Sequence, residues 1–195
     1  MKKLLRLVLL ATMVMIALSA CSNSADEDKK EDNSVFLGDK AAPNEMIFIF
    51  DYSCPYCSIW MADYLPTVQD EWIDSGKVKF RMISVGFLNE ASVRLASLDH
   101  NLQKHYPASY FDVAFDILKD SLEEDDQWGT DQYIKIVLDE HELDMDRLND
   151  EVDIDVKTEE IQGKYDIEFV PTVILNGEKV EDPMNLDDVE SLLNE

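Results

Sequence analysis

Two cysteines stand two residues apart in Cys54-Pro55-Tyr56-Cys57, just beyond the apolar run Met46-Ile47-Phe48-Ile49-Phe50. A continuous run rich in aromatic and β-branched side chains predicts a strand buried on both faces. After the second cysteine, Trp60, Tyr64, Val68 and Trp72 recur every fourth residue, with Met61 and Leu65 beside them. That spacing predicts one face of a helix, stopped by Gly76. Pro66 falls inside it and should kink it, because proline removes a donor and crowds the preceding turn. Residues 77–88 read as the next strand. The chain is therefore held to a β-α-β unit with both thiols at its first strand-to-helix junction.

That junction suits thiol chemistry. The first sulfur lies at the positive end of the helix dipole, near free backbone N–H groups, and thiolates so placed have pKa values from about 3.5 to 7.5. Cys54 is expected to be the attacking sulfur, and Cys57, one turn inside, the resolving one. Pro55 fits an early helical position, where its missing N–H is no loss, and Tyr56 alters the local field. A structural zinc site needs four Cys or His ligands, and there is no second cysteine pair. His100, His105 and His141 lack metal-ligand spacing and read as surface or helix-capping residues. Neither a metal nor a cofactor is implied. A purely structural disulfide in so short a loop would add little stability.

A helical segment is expected over residues 90–165. Its clearest member covers residues 109–122, with Phe111, Phe115, Leu118 and Leu122 on one face. Thr130 is the expected N-cap of another, which carries Tyr133, Ile134, Val137 and Leu138 inward. Residues 144–165 read as helical despite Gly163. Thr172–Leu175 is then a short strand, Asn176-Gly177 a tight hairpin turn and residues 178–180 its partner. Residues 185–193 close the chain as a helix, giving the order β-α-β, helices, β-β-α.

The third cysteine has its own explanation. Lys2, Lys3 and Arg6 precede an apolar run over residues 7–18, long enough for the core of an export signal and too short to span a bilayer comfortably. The run closes with Leu18-Ser19-Ala20-Cys21, which resembles the bacterial lipobox. The resemblance implies cleavage before Cys21 and acylation of its thiol, which leaves Cys54 and Cys57 as a pair. Residues 1–20 are thus an expected lipoprotein signal peptide. Residues 21–34, small and charged, are an expected acidic tether with a reach of roughly 20 Å. Lys and Arg number 17 against 42 Asp and Glu, a net charge of −25. Such a chain repels nucleic-acid backbones and anionic headgroups, while 46% apolar residues suit a globular domain.

With Leu37-Gly38-Asp39, the strand ending Phe50-Asp51-Tyr52-Ser53-Cys54-Pro55-Tyr56-Cys57, then Phe169-Val170-Pro171-Thr172 and Asn176-Gly177, the chain resembles the DsbA-type thiol–disulfide oxidoreductases of the thioredoxin superfamily. Val85-Gly86-Phe87-Leu88 and Asn176-Gly177-Glu178-Lys179-Val180-Glu181-Asp182-Pro183 make it most similar to their lipid-anchored staphylococcal members. The resemblance implies an α/β thioredoxin fold over residues 35–89 and 166–195, with residues 90–165 as an inserted helical domain. It also implies a cis Val170-Pro171 bond facing the dithiol, with Val170, Pro171 and Thr172 beside an extended substrate that lies like an added strand. One departure matters. Six residues before the first cysteine many relatives carry a buried acid that moves protons for the second thiol; here Phe48 stands there, which leaves that task to water, Asp51 or another group.

The expected protein is a monomeric lipoprotein on the extracytoplasmic face of the cell membrane. It would donate its disulfide to reduced, unfolded exported proteins, with reoxidation by a membrane quinone-linked protein or small-molecule oxidants. A thioredoxin-like reductase would use the same residues in the opposite direction. A non-catalytic binding or chaperone lipoprotein would use the dithiol only as a brace.

Overall fold

The computed structural model describes residues 34–123 and 125–193. The expected signal peptide, Cys21 and residues 22–33 of the expected tether lie outside the described residues. A four-stranded sheet is ordered β2-β1-β3-β4. Strand β1 (Asn44–Phe50) pairs in parallel with β2 (Val78–Ser84) and antiparallel with β3 (Thr172–Leu175), which pairs antiparallel with β4 (Glu178–Lys179).

The apolar run forms the central strand because both of its faces find cover. Met46, Phe48 and Phe50 are buried in a core that includes Trp60, Val68, Trp72 and Phe80. Ile47 and Ile49 are buried in a second cluster with Val85, Ile167 and Ile174. The alternation is that of a pleated strand. Ile49 faces Thr172 across the antiparallel pair, so Pro171 arrives at the same end of the sheet where β1 runs out towards Cys54. In the hairpin beyond β3, Asn176 and Gly177 both take positive φ, 52° and 88°, as a primed turn requires.

The helix after the dithiol is not uniform. It begins as α1 (Pro55–Ile59), widens to a π turn over Trp60–Tyr64, continues as α2 (Leu65–Val68) and widens again over Gln69–Ile73. The Leu65 N–H reaches the Trp60 carbonyl, five residues back. A wide turn immediately before Pro66 is how the helix absorbs the missing donor, so the expected kink takes this form. The next strand is shorter than residues 77–88. It stops at Ser84, because after Val85 bonds the Phe50 carbonyl at 2.8 Å, the N–H groups of Gly86, Phe87 and Leu88 turn to side chains of Thr158 and Asp51.

Four longer helices follow: α3 (Glu90–His105), α4 (Tyr110–Asp120), α5 (Asp131–Glu140) and α6 (Ile154–Tyr165), with a short 3-10 turn at Met145–Arg147. Asn89 caps α3 by accepting from the Ser92 N–H at 3.0 Å. Thr130 caps α5, accepting from Tyr133 at 3.2 Å, and the four residues expected inward on α5 are buried. Leu122 lies beyond α4 and is 44% exposed; the buried face of that helix is Tyr110, Phe111, Val113, Ala114, Ile117 and Leu118. Helices α3 to α5 share the first core with the sheet. From α6, Ile161 and Tyr165 pack on the second. A last helix, α7 (Leu186–Leu193), ends the described chain.

Candidate active site: a dithiol at the head of a helix

Cys54 is the extended N-cap of α1, with φ −88° and ψ 111°, and Pro55 occupies the first turn. The Cys54 carbonyl accepts from the Cys57 N–H at 2.9 Å and the Ser58 N–H at 3.3 Å, and the Cys54 N–H donates to the Asp51 carbonyl at 3.0 Å. Both cysteines are free thiols. Cys54 keeps 6% of its surface and Cys57 none, so a reagent arriving from solvent meets the Cys54 sulfur first. Tyr56 between them is exposed.

The two sulfurs have opposite electrostatics. A hydrogen bond from the Cys57 thiol is the main cause that lowers the Cys54 pKa to about 7; burial opposes it, the N–H groups of Cys57 and Tyr56 reinforce it, and the Asp51 charge works against it. Cys57 moves far above an ordinary thiol, first through burial and then through its bond to Cys54 and the charge of the Cys54 thiolate. Near neutral pH Cys54 is thus half thiolate while Cys57 keeps its proton. The thiolate is the nucleophile and the better leaving group.

The loop before β3 completes the site. Cys54 Sγ lies 3.6 Å from the Val170 carbonyl oxygen, and the Val170–Pro171 peptide bond is cis. Thr172 is buried and its hydroxyl donates to the Phe169 carbonyl at 2.8 Å, while the Phe169 ring is exposed. A cleft of about 720 Å³ lined by Ser53, Pro55, Asn89, Arg94 and Trp128, among others, reaches the residues flanking Cys54. Cys54, Pro55, Tyr56 and Cys57 are thus brought together with Val170, Pro171 and Thr172 from far along the chain.

Phe48 is buried in the first core, its ring 4.3 Å from that of Trp60. Asp51 and Asp99 are both buried, and the Asp51 charge bears on both sulfurs. Asp99 on α3 accepts from the hydroxyls of Tyr52 at 2.8 Å and Tyr110 at 2.9 Å. Its carboxyl is pushed up by burial, which those bonds only partly offset. A sequence signal for it existed: Asp99 lies at helical spacing among Leu95, Leu98 and Leu102, where an apolar residue belongs. His105 and His141 pair with Asp150 and Asp116. No group of three or more potential metal ligands occurs among the described residues.

Fold and dithiol together define a thiol–disulfide oxidoreductase of the DsbA type. The chain matches the thioredoxin family over residues 30–195 and belongs to it. It is 24% identical over 167 residues to the disulfide bond formation protein D of Bacillus subtilis (strain 168), covering 80% of this chain and 74% of that one. Among solved structures it resembles oxidised BdbD from Bacillus subtilis, with a TM-score of 0.73, 23% identity and coverage of 83% and 91%. It also resembles α-DsbA1 of Wolbachia pipientis, with a TM-score of 0.69, 19% identity and coverage of 84% and 90%.

Proposed function

We propose that this protein donates the Cys54–Cys57 disulfide to reduced, unfolded exported proteins. The observation that carries the reading is the split between the two sulfurs: Cys54 at a pKa of about 7 and Cys57 buried and protonated. A substrate thiolate attacks Cys54 Sγ, the Cys54–Cys57 bond breaks and Cys57 takes up a proton. A second substrate thiolate then attacks the substrate sulfur of the mixed disulfide and expels Cys54 as a thiolate. The substrate loses two electrons and two protons and leaves with a disulfide; the enzyme keeps the electrons as its dithiol. The low pKa of Cys54 favours that departure. Pro55 and Tyr56 flank the reacting sulfur, and the backbone at Val170, Pro171 and Thr172 receives the substrate as an added strand. The similarity to a relative named for disulfide bond formation supports this direction. Reoxidation then falls to a membrane quinone-linked protein or to small oxidants.

Paired urea melts of the oxidised and reduced forms test the direction. Because folding depresses the Cys54 pKa, its thiolate stabilises the reduced fold fully above the ordinary thiol value, and this is lost as pH falls through about 7. The reduced form should therefore gain on the oxidised form between about pH 6 and about pH 9, by on the order of 1 kcal/mol after solvent screening. If the oxidised form stays several kcal/mol more stable throughout, the donor reading falls and the reductase reading replaces it.

The protein acts, in this reading, as a monomer at the extracytoplasmic face of the membrane, held by a lipid on Cys21 after removal of residues 1–20. The support is the lipobox and the thiol count; no described helix is long and apolar enough to cross a membrane. Mass spectrometry of the membrane fraction should find a diacylated chain beginning at Cys21. A secreted chain without lipid would refute the anchor.

A further inference from the structure

Asp51 lies at the end of β1, three residues before Cys54, and is fully buried. Its Oδ1 accepts from the Ser53 N–H at 2.8 Å and from the Ser92 hydroxyl at 2.6 Å. Its Oδ2 accepts from the N–H groups of Phe87 at 2.8 Å and Leu88 at 3.2 Å. A carboxylate has about four lone-pair positions, and each is taken. None remains for a proton moving to or from Cys57. The donors come from three pieces of chain: the loop before the dithiol, the loop after β2 and the first turn of α3. None of the four carries a charge, so the negative charge of the carboxylate is held in place without being neutralised.

We propose that Asp51 is a positioning residue of the dithiol: a fixed buried charge, locked by four neutral donors, that restrains thiolate formation at Cys54 and keeps the disulfide less oxidising than the helix start alone would make it. The proposal rests on the reading of Cys54 and Cys57 as the working pair. Only the reduced state carries a thiolate, so a nearby negative charge disfavours that state and lowers the reduction potential. Burial makes the effect larger than it would be in water. The Asp51 charge opposes ionisation at both sulfurs, while at Cys57 the Asp51 backbone works the other way. Cys57 is a second titratable group bearing on Cys54, and Glu90 and Arg94 line the cleft alongside.

Two variants of the full chain separate charge from scaffold. Iodoacetamide labelling of Cys54, followed against pH by peptide mass, reads its titration. Trapping in glutathione mixtures reads the equilibrium of the pair. Asp51→Asn should move the Cys54 midpoint down and shift the glutathione equilibrium about tenfold towards the reduced dithiol, or about 30 mV. Ser92→Ala keeps the charge but removes its closest donor, and should move the midpoint up, leaving about twofold less thiolate near neutral pH. A purely structural Asp51 would lower melting temperatures without these opposite shifts. A folded Asp51→Asn protein with an unchanged or raised midpoint overturns the proposal. An amide would set N–H against N–H at Phe87 and Leu88, so if that variant does not fold, Ser92→Ala decides: a raised midpoint supports the proposal and an unchanged one ends it. Neither readout depends on the direction of electron flow, so failure to oxidise unfolded proteins would defeat the donor reading alone. Wild-type labelling of Cys57 ahead of Cys54 would defeat the working-pair reading itself.

Discussion

Replacing Cys54 with serine is expected to reduce disulfide donation to background, a loss on the order of 10³-fold or more, whereas a protein without Cys57, which equally has no disulfide to donate, should stay joined through Cys54 to substrates that already carry a disulfide. The asymmetry follows from access and protonation. Cys54 alone touches solvent, and its pKa of about 7 makes it both the sulfur attacked and the one that leaves. When the Cys54 thiolate attacks a substrate disulfide it expels one substrate sulfur as a thiolate, and once Cys57 is gone the resulting mixed disulfide has no enzyme thiol to resolve it. Regain of activity by a reduced, unfolded test enzyme measures donation, and non-reducing gels of the variants mixed with a disulfide-bearing substrate display the adducts. The choice of replacement adds a second readout. The Cys57 thiol is the largest cause lowering the Cys54 pKa. A serine hydroxyl can still donate to the Cys54 sulfur and should preserve much of the effect, while Cys57→Ala should move Cys54 back towards an ordinary thiol. Adducts forming on Cys57 in the Cys54→Ser protein would reverse the assignment.

The dithiol was legible in the sequence because its chemistry and its position are both local. Two residues set the spacing, and the apolar run before it and the four-residue repeat after it set the strand and the helix. The antiparallel pairing of Thr172 with Ile49 was not local. Nothing in the composition of residues 169–172 brings Val170 to 3.6 Å from Cys54; only the resemblance to a known family pointed there. Strand β2 ends at Ser84, short of the expected residue 88, for a physical reason. Val85, Phe87 and Leu88 have strand-like side chains, but the N–H groups of Phe87 and Leu88 are claimed by a buried carboxylate 36 and 37 residues earlier in the chain. The roles of Asp51, Ser92 and Tyr110 depend on such tertiary pairings and have no signature of their own. Asp99 had one, an acid on an apolar helical face, although its partners did not.

Removing the Asp99 carboxylate is expected to destabilise the protein by about 3 kcal/mol, the largest effect on stability among these changes. Tyr52 leads into the dithiol, Asp99 and Gln103 lie on α3 and Tyr110 opens α4, so the cluster fastens the helical segment to the loop that carries Cys54. In Asp99→Ala the hydroxyls of Tyr52 and Tyr110 and the Gln103 amide all lose their acceptor. Each buried donor left unpaired costs about 1–3 kcal/mol. Relief of the carboxylate's own burial, which holds its pKa up, offsets part of the total. Asp99→Asn should cost only about 1 kcal/mol, because both tyrosines donate to the same oxygen, Oδ1, which an amide retains. That smaller deficit should depend on pH. A raised pKa in the fold means that the contribution of Asp99 is complete below the ordinary carboxylate range and declines as pH rises through the elevated value. The gap between wild type and Asp99→Asn should therefore narrow from about pH 4 towards neutrality. Urea melts of the two variants and wild type across that range give all three quantities. An Asp99→Ala protein within about 1 kcal/mol of wild type would mean that the two hydroxyls find other acceptors, and that the helical segment is fastened to the thiol loop by apolar packing alone.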